Sequence, residues 1–147
     1  MEQNSKKYVE EDGIIRWRLP NGKLHRLDGP AIECADGHKD WWVNGKRHRL
    51  DGPAIERANG YKEWWVNGKR HRLDGPAVEH ANGSKAWWVN GKLHRLNGPA
   101  VERADGHKDW WVNNKRYRTF EEYCKAVNLI ITEEAYFILV LTYGDEQ

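Results

Sequence analysis

The asparagine of an NGK or NNK tripeptide recurs at Asn21, Asn44, Asn67, Asn90 and Asn113, always 23 residues apart. Four near-identical copies of one unit run between and after these markers. The second reads NGKRHRLDGPAIERANGYKEWWV, from Asn44 to Val66. A fixed period between about 20 and 50 residues marks stacked supersecondary units, none of which buries its apolar face alone. Such a chain forms an elongated surface on which the same side chains return at regular intervals. That is the architecture of a binding protein, whereas catalysis needs different groups converging on one point.

The rest of the composition narrows the class. The chain has 147 residues, one domain's worth, and no apolar run reaches the ~18 residues of a membrane helix. The N-terminal MEQNSKKYVEED lacks the apolar core of a secretion signal, which predicts a protein retained in the cytoplasm. Cys34 and Cys124 fit no metal spacing and read as free thiols of a reducing compartment. The net charge of +2 is unevenly spread: residues 119–147 hold one Lys and six Asp or Glu, a net of −5, leaving +7 on residues 1–118. A basic body with an acidic tail suits acidic partners or contact between the two parts.

Turn chemistry sets the repeat. Asn44-Gly45, Asn67-Gly68 and Asn90-Gly91 are two-residue hairpin signals, because both central positions of a type I′ turn need positive φ. Asp36-Gly37, Asn59-Gly60, Asn82-Gly83 and Asp105-Gly106 are read as a second two-residue turn in each unit. Pro53 of Asp51-Gly52-Pro53 cannot donate to a ladder, so that tripeptide marks a bend. Counting from these turns pairs Trp41 with His48, Trp42 with Arg47 and Asp40 with Arg49, and on the other side Ile32 with Trp41 and Glu33 with Asp40. Period-two alternation then assigns Ile32, Trp41, Val43, His48 and Leu50 to the core, with their equivalents in later units. Trp64, Trp87 and Trp110 join Trp41 there. Glu33, Asp40, Trp42, Arg47 and Arg49 fall on the solvent face. The positions that vary between copies, 24/47/70/93, 38/61/84/107 and 40/63/86/109, all fall on that solvent face.

The ends depart from the pattern. Residues 1–11 read as a flexible N-terminus, residues 12–118 as the hairpin array with a diverged first hairpin, and 119–147 as a helical cap. Thr119-Phe120-Glu121-Glu122 is a capping box, with Phe120, Tyr123, Cys124 and Val127 on one stripe. A second helix starts at Thr132. Its run Ala135 to Leu141 is apolar on all sides, which predicts burial against the last hairpin or against another chain. The fold class expected is therefore an all-β array of 23-residue hairpins with a small C-terminal α-helical cap.

Several residue sets could carry chemistry. His25, His48, His71 and His94 stand one repeat apart, about 10 Å in an array of paired strands, too far for one metal ion. Stacking on tryptophan is the reading preferred for them, and no metal or cofactor is expected. The series Asp28, Asp51 and Asp74 becomes Asn97, which favours turn capping over carboxylate chemistry. Trp42, Trp65, Trp88 and Trp111, beside Arg47, Arg49, Arg70, Arg72 and Arg95, form the candidate partner-binding face. Tryptophan and arginine dominate interface hot spots, and they also suit bases stacked over a basic groove. Acidic residues interleave with the arginines, which ranks a protein partner above a nucleotide or nucleic acid.

The cadence DGxKxWWVNGKxHRLDGPA resembles MORN-type repeats, short hairpins with glycine turns and aromatic strand centres. It is closer still to repeat proteins encoded by phages, which often end in an EE-rich helical tail like Thr119–Gly144. The resemblance covers residues 12–144. It implies a hairpin array, and variants of this repeat occur in antitoxin-like bacterial proteins, while typical MORN proteins act as scaffolds or touch phospholipid. The WW pair and the HRLDGPA segment depart from the typical MORN pattern, which argues against the lipid role. The expectation is a non-enzymatic protein in the cytoplasm of a bacterial cell. It would bind and inhibit or scaffold a host or toxin protein, away from membranes, with self-association through the C-terminal apolar segment open to it.

Overall fold

The computed structural model describes residues 4–146. Strands β1 (Lys6–Val9) and β2 (Ile15–Arg18) open the chain as an antiparallel hairpin. The first full unit then supplies β3 (Ile32–Glu33), β4 (Lys39–Asp40), β5 (Trp42–Val43) and β6 (Lys46–Arg47). The next two units repeat the scheme as β7 (Ile55–Glu56), β8 (Lys62–Glu63), β9 (Trp65–Val66) and β10 (Lys69–Arg70), then β11 (Val78–Glu79), β12 (Lys85–Ala86), β13 (Trp88–Val89) and β14 (Lys92–Leu93). The last unit has β15 (Val101–Glu102), β16 (Lys108–Val112) and β17 (Lys115–Tyr117). Helices α1 (Phe120–Val127) and α2 (Glu133–Tyr143) follow.

The protein is an open hairpin-repeat array. Among the described residues, one 11-stranded antiparallel sheet runs in the order β1-β2-β3-β4-β7-β8-β11-β12-β15-β16-β17. The hairpins β5–β6, β9–β10 and β13–β14 flank it as separate two-stranded ladders. Trp41 marks the change of partner within a unit. Its N–H donates to the carbonyl of Ala54 in the next unit, and its own carbonyl accepts from His48. The segment taken as a flexible terminus instead contributes β1, the exposed edge strand; its residues 1–3 lie outside the described residues.

The two turns of each unit are different. Asn44 and Gly45 both have positive φ, 52° and 75°, and Trp42 pairs with Arg47 across them as the type I′ reading requires. At Asp36-Gly37 only Gly37 is left-handed, at 88°. Cys34 bonds to the carbonyl of His38, and Gly37 to the carbonyl of Cys34. That is a three-residue loop, a type I turn closed by a glycine bulge. The asparagine or aspartate before the glycine accepts the N–H two residues on, as Asp36 does from His38 at 2.9 Å.

The additional loop residue shifts the expected register by one. Ile32 faces Asp40 and Glu33 faces Lys39, so the like-charge contact between Glu33 and Asp40 does not exist. The result is a continuous cross-strand row, Glu33-Lys39-Glu56-Lys62-Glu79-Lys85-Glu102, in which each charge has opposite neighbours. The pairing of Asp40 with Arg49 also fails, because Arg49 leaves the hairpin and donates its N–H to Trp65 of the next unit.

Away from the cap, burial is confined to a few positions of each unit, and the large apolar cluster lies around Trp110 and the helices. Trp41, Trp64 and Trp87 are accordingly half-buried, whereas Trp110 lies under the helices at 7 % exposure. Leu27, Leu50 and Leu73, expected in the core, stand 72–80 % exposed. The alanine of each DGPA segment, Ala31, Ala54, Ala77 and Ala100, is fully buried.

The cap covers the C-terminal end of the array. Thr119 caps α1 by accepting from Glu122, and Phe120, Tyr123, Cys124 and Val127 are buried as the stripe predicts. Glu122 itself accepts from the Arg118 N–H, one residue upstream of the position a closed capping box uses. Thr132 caps α2. Only Leu139 of α2 is buried, while Phe137, Ile138 and Leu141 remain exposed, so the burial expected for this run is not reached within the chain. No helix among the described residues is long and apolar enough to cross a membrane.

Candidate functional site

The nine residues assigned to one binding face divide into two groups. Trp42, Trp65, Trp88 and Trp111 are half-buried, and they share their side of the strands with Arg47 and Arg70. The Arg47 guanidinium lies 4.9 Å from the Trp42 ring centre and 5.5 Å from Trp65; Arg70 lies 5.1 Å from Trp65 and 5.3 Å from Trp88. Arg49, Arg72 and Arg95 sit instead over the first tryptophan of each pair, Trp41, Trp64 and Trp87, at 4.0, 3.9 and 3.8 Å. Arg49 stands beyond the end of β6, where the chain has left the hairpin and its N–H bonds to Trp65 of the next unit, and this accounts for the separation.

Each arginine of the second group organises its own loop. Arg49 donates from Nε to Asp51 at 2.8 Å, and from a terminal nitrogen to the Pro53 carbonyl at 3.0 Å and to Glu56 at 2.9 Å. Arg72 and Arg95 repeat the pattern. The loop position needs an acceptor and not a charge, because Asn97 serves Arg95 at 3.1 Å. Where the acceptor is Asp28, Asp51 or Asp74, the arginine hydrogen bond holds the carboxyl below its ordinary range.

Arg47 and Arg70 are engaged as well. Asp40, Glu63 and Asp109, expected on the solvent face, are buried. Arg70 donates to Glu63 at 2.9 Å, Arg116 to Asp109 at 2.5 Å, and Arg47 stands 3.5 Å from Asp40. Glu63 also accepts from Tyr61 and, at 2.7 Å, from the Trp65 indole. Burial alone would raise the Glu63 carboxyl; the donors outweigh it and leave the group below its usual range.

The histidine ladder is structural in a way the sequence did not indicate. Nδ1 of His25, His48, His71 and His94 accepts the backbone N–H of Asn44, Asn67, Asn90 and Asn113, at 3.0–3.2 Å. Each imidazole thereby ties one unit to the turn of the next, in place of the stacking expected. Among the described residues no group of three His, Cys, Asp or Glu side chains could hold a metal ion. Cys34 and Cys124 are unpaired, and burial pushes both thiols up.

Sequence reasoning missed a second surface. The HRLDGP loops project from the array and leave an open groove between each pair. In the middle groove, Leu50 and Leu73 form the rims, and Trp64, Val66 and His71 the floor. The groove before it has Leu27, Leu50 and Trp41 in these places, and the one after it Leu73, Leu96 and Trp87. The signal is the leucine that follows each His-Arg, which period-two alternation assigns to the core although the strand ends before it, at Arg47 in the unit of Leu50. No family model matches the chain, and no curated protein matches it in sequence.

Proposed function

We propose that this chain is a non-enzymatic binding protein that inhibits or scaffolds another protein. The observation that carries the reading is the row of bare leucines, Leu27, Leu50 and Leu73, over tryptophan-floored grooves. Exposed apolar surface that recurs with a fixed spacing is costly in water unless a partner covers it. The MORN-like cadence and the acidic helical tail favour an antitoxin- or phage-inhibitor-like role in a bacterial cytoplasm. A nucleotide or nucleic acid on the tryptophan–arginine face is less supported, because Arg70 and Arg49 are already paired with carboxylates. The outer face of α2, with Phe137 and Leu141, would supply self-association.

The test is affinity capture from lysate of the source cell with the intact chain and with a Leu50→Glu/Leu73→Glu double variant, beside a nucleotide and oligonucleotide screen. The reading expects one protein retained in stoichiometric amount by the parent and lost by the variant. Retention of nucleic acid alone, or of nothing, would overturn it.

A further inference from the structure

We propose that each open groove receives one tyrosine ring carried on a helix of the partner protein, seated as Tyr123 is seated at the C-terminal end of the array. The proposal deepens the binding reading above and rests on it.

The array displays the contact once, in cis. Tyr123 of α1 is fully buried, with its ring centre 4.7 Å from that of Trp110. Its hydroxyl donates to the Arg95 carbonyl at 2.8 Å or the Gly98 carbonyl at 3.1 Å, and accepts the Gly98 N–H at 3.3 Å. Trp110, Arg95 and Gly98 are the fourth-unit equivalents of Trp64, Arg49 and Gly52, which line the middle open groove. Among the described residues the N–H and carbonyl of Gly29, Gly52 and Gly75 bond to no other group of the chain, so the groups that the phenol engages in the fourth unit have no partner from the chain itself in the first three. The fourth site has no far wall, because no DGP loop follows Arg118, and α1 packs there on β16 and β17. An open groove keeps both rims, Leu50 and Leu73 in the middle one.

The spacing selects the carrier. Two strands per unit set successive grooves about 10 Å apart. A helix rises about 1.5 Å per residue, so tyrosines seven residues apart return to one face after two turns at a separation of about 10.5 Å. An amphipathic helix with tyrosines at i, i+7 and i+14 therefore addresses all three grooves. Tyrosine meets the apolar floor with its ring and the loop's polar groups with its hydroxyl, the combination that makes it an interface anchor.

The probe is a synthetic helical peptide with three tyrosines at seven-residue intervals on an alanine, lysine and glutamate background, titrated into the full chain and followed by NMR. Binding is expected to move the amide signals of Gly29, Gly52 and Gly75 together with the indole signals of Trp41, Trp64 and Trp87. Exchanging all three tyrosines for phenylalanine should weaken binding at least about tenfold through loss of the hydroxyl contacts in three grooves. Leu50→Glu should weaken it at least tenfold without changing the melting temperature, since that side chain is 80 % exposed. Three results would overturn the proposal: no binding, equal binding by an alanine-substituted peptide, or shifts confined to another face. Concentration-dependent shifts of the same glycines without peptide would make a second copy the occupant and overturn it too. Were the peptide to fail while cellular capture still depended on Leu50 and Leu73, the binding reading would stand without its tyrosine helix.

Discussion

Ala86 and Leu93 occupy the two positions at which the flanking repeats join a buried carboxylate to an arginine. Glu63 meets Arg70 at 2.9 Å and Asp109 meets Arg116 at 2.5 Å, seven residues apart in each case. The third position of the cluster changes with them: Tyr61 and His107 approach the acids, whereas Ser84 stands beside Ala86 and accepts the Ala104 N–H instead. A buried carboxylate without its cation is costly, while an apolar pair of similar shape can replace both at little loss. The repeat therefore has two compatible states of one cluster, and unit three holds the apolar one.

This relationship makes the first prediction. Arg70→Leu alone leaves Glu63 buried with only its Tyr61 and Trp65 donors, and should cost about 3 kcal/mol. The triple exchange Tyr61→Ser/Glu63→Ala/Arg70→Leu, which copies unit three, should stay within about 1 kcal/mol of the parent. Chemical denaturation of the parent, single and triple variants decides it; a triple variant as unstable as the single one would mean the cluster does not act as a unit.

Tyr61 gives a prediction at the alkaline end. Burial first, and then the hydrogen bond to Glu63, push its phenol up to about 12. The unfolded chain would ionise it near pH 10. A folded pKa raised in this way means the contribution to stability is whole below about pH 10 and is lost as pH rises through 12. The parent should lose stability more steeply over that window than Tyr61→Phe. Ultraviolet titration should also lose an ionisation near pH 12 in the Tyr61→Phe variant.

His94 acts at the acid end. Burial lowers its pKa, with a smaller opposing contribution from Asn113, and Nδ1 needs its lone pair for the Asn113 N–H. The sign is opposite to that of Tyr61: the contribution is present above the unfolded value, about 6.5, and is lost as pH falls through the folded one. NMR titration should place the His94 midpoint below 6.5. A midpoint above it would mean the imidazole holds its proton in the fold and cannot accept from Asn113.

The hairpin array and both helix starts were legible because their signals are local. Asn-Gly pairs fix a turn, and Thr119 and Thr132 fix helix caps, whatever lies around them. The Asp36-Gly37 loop was misread because a type I turn with a glycine bulge and a type I′ turn share the same dipeptide. One residue then exchanged the neighbours of Ile32 and placed Asp40 inside. The grooves were illegible for a different reason. Leu50 looks like core in any hydropathy count, and its place in a projecting loop beyond the end of β6 leaves it in water.

The last prediction concerns the cap. Tyr123→Phe keeps the ring on Trp110 but leaves the Arg95 and Gly98 groups at the buried end of the groove without partners, a loss of about 1–3 kcal/mol. Tyr123→Ala removes the ring as well and should cost about 3–5 kcal/mol. Because each repeat touches only its neighbours, the damage should spread from the C-terminal end inward. Hydrogen exchange should quicken over α1, β16 and β17 in both variants, while β4, β7 and β8 keep their protection. Uniform loss of protection along the sheet would mean the array opens as one cooperative unit, with the cap holding shut the end furthest from it.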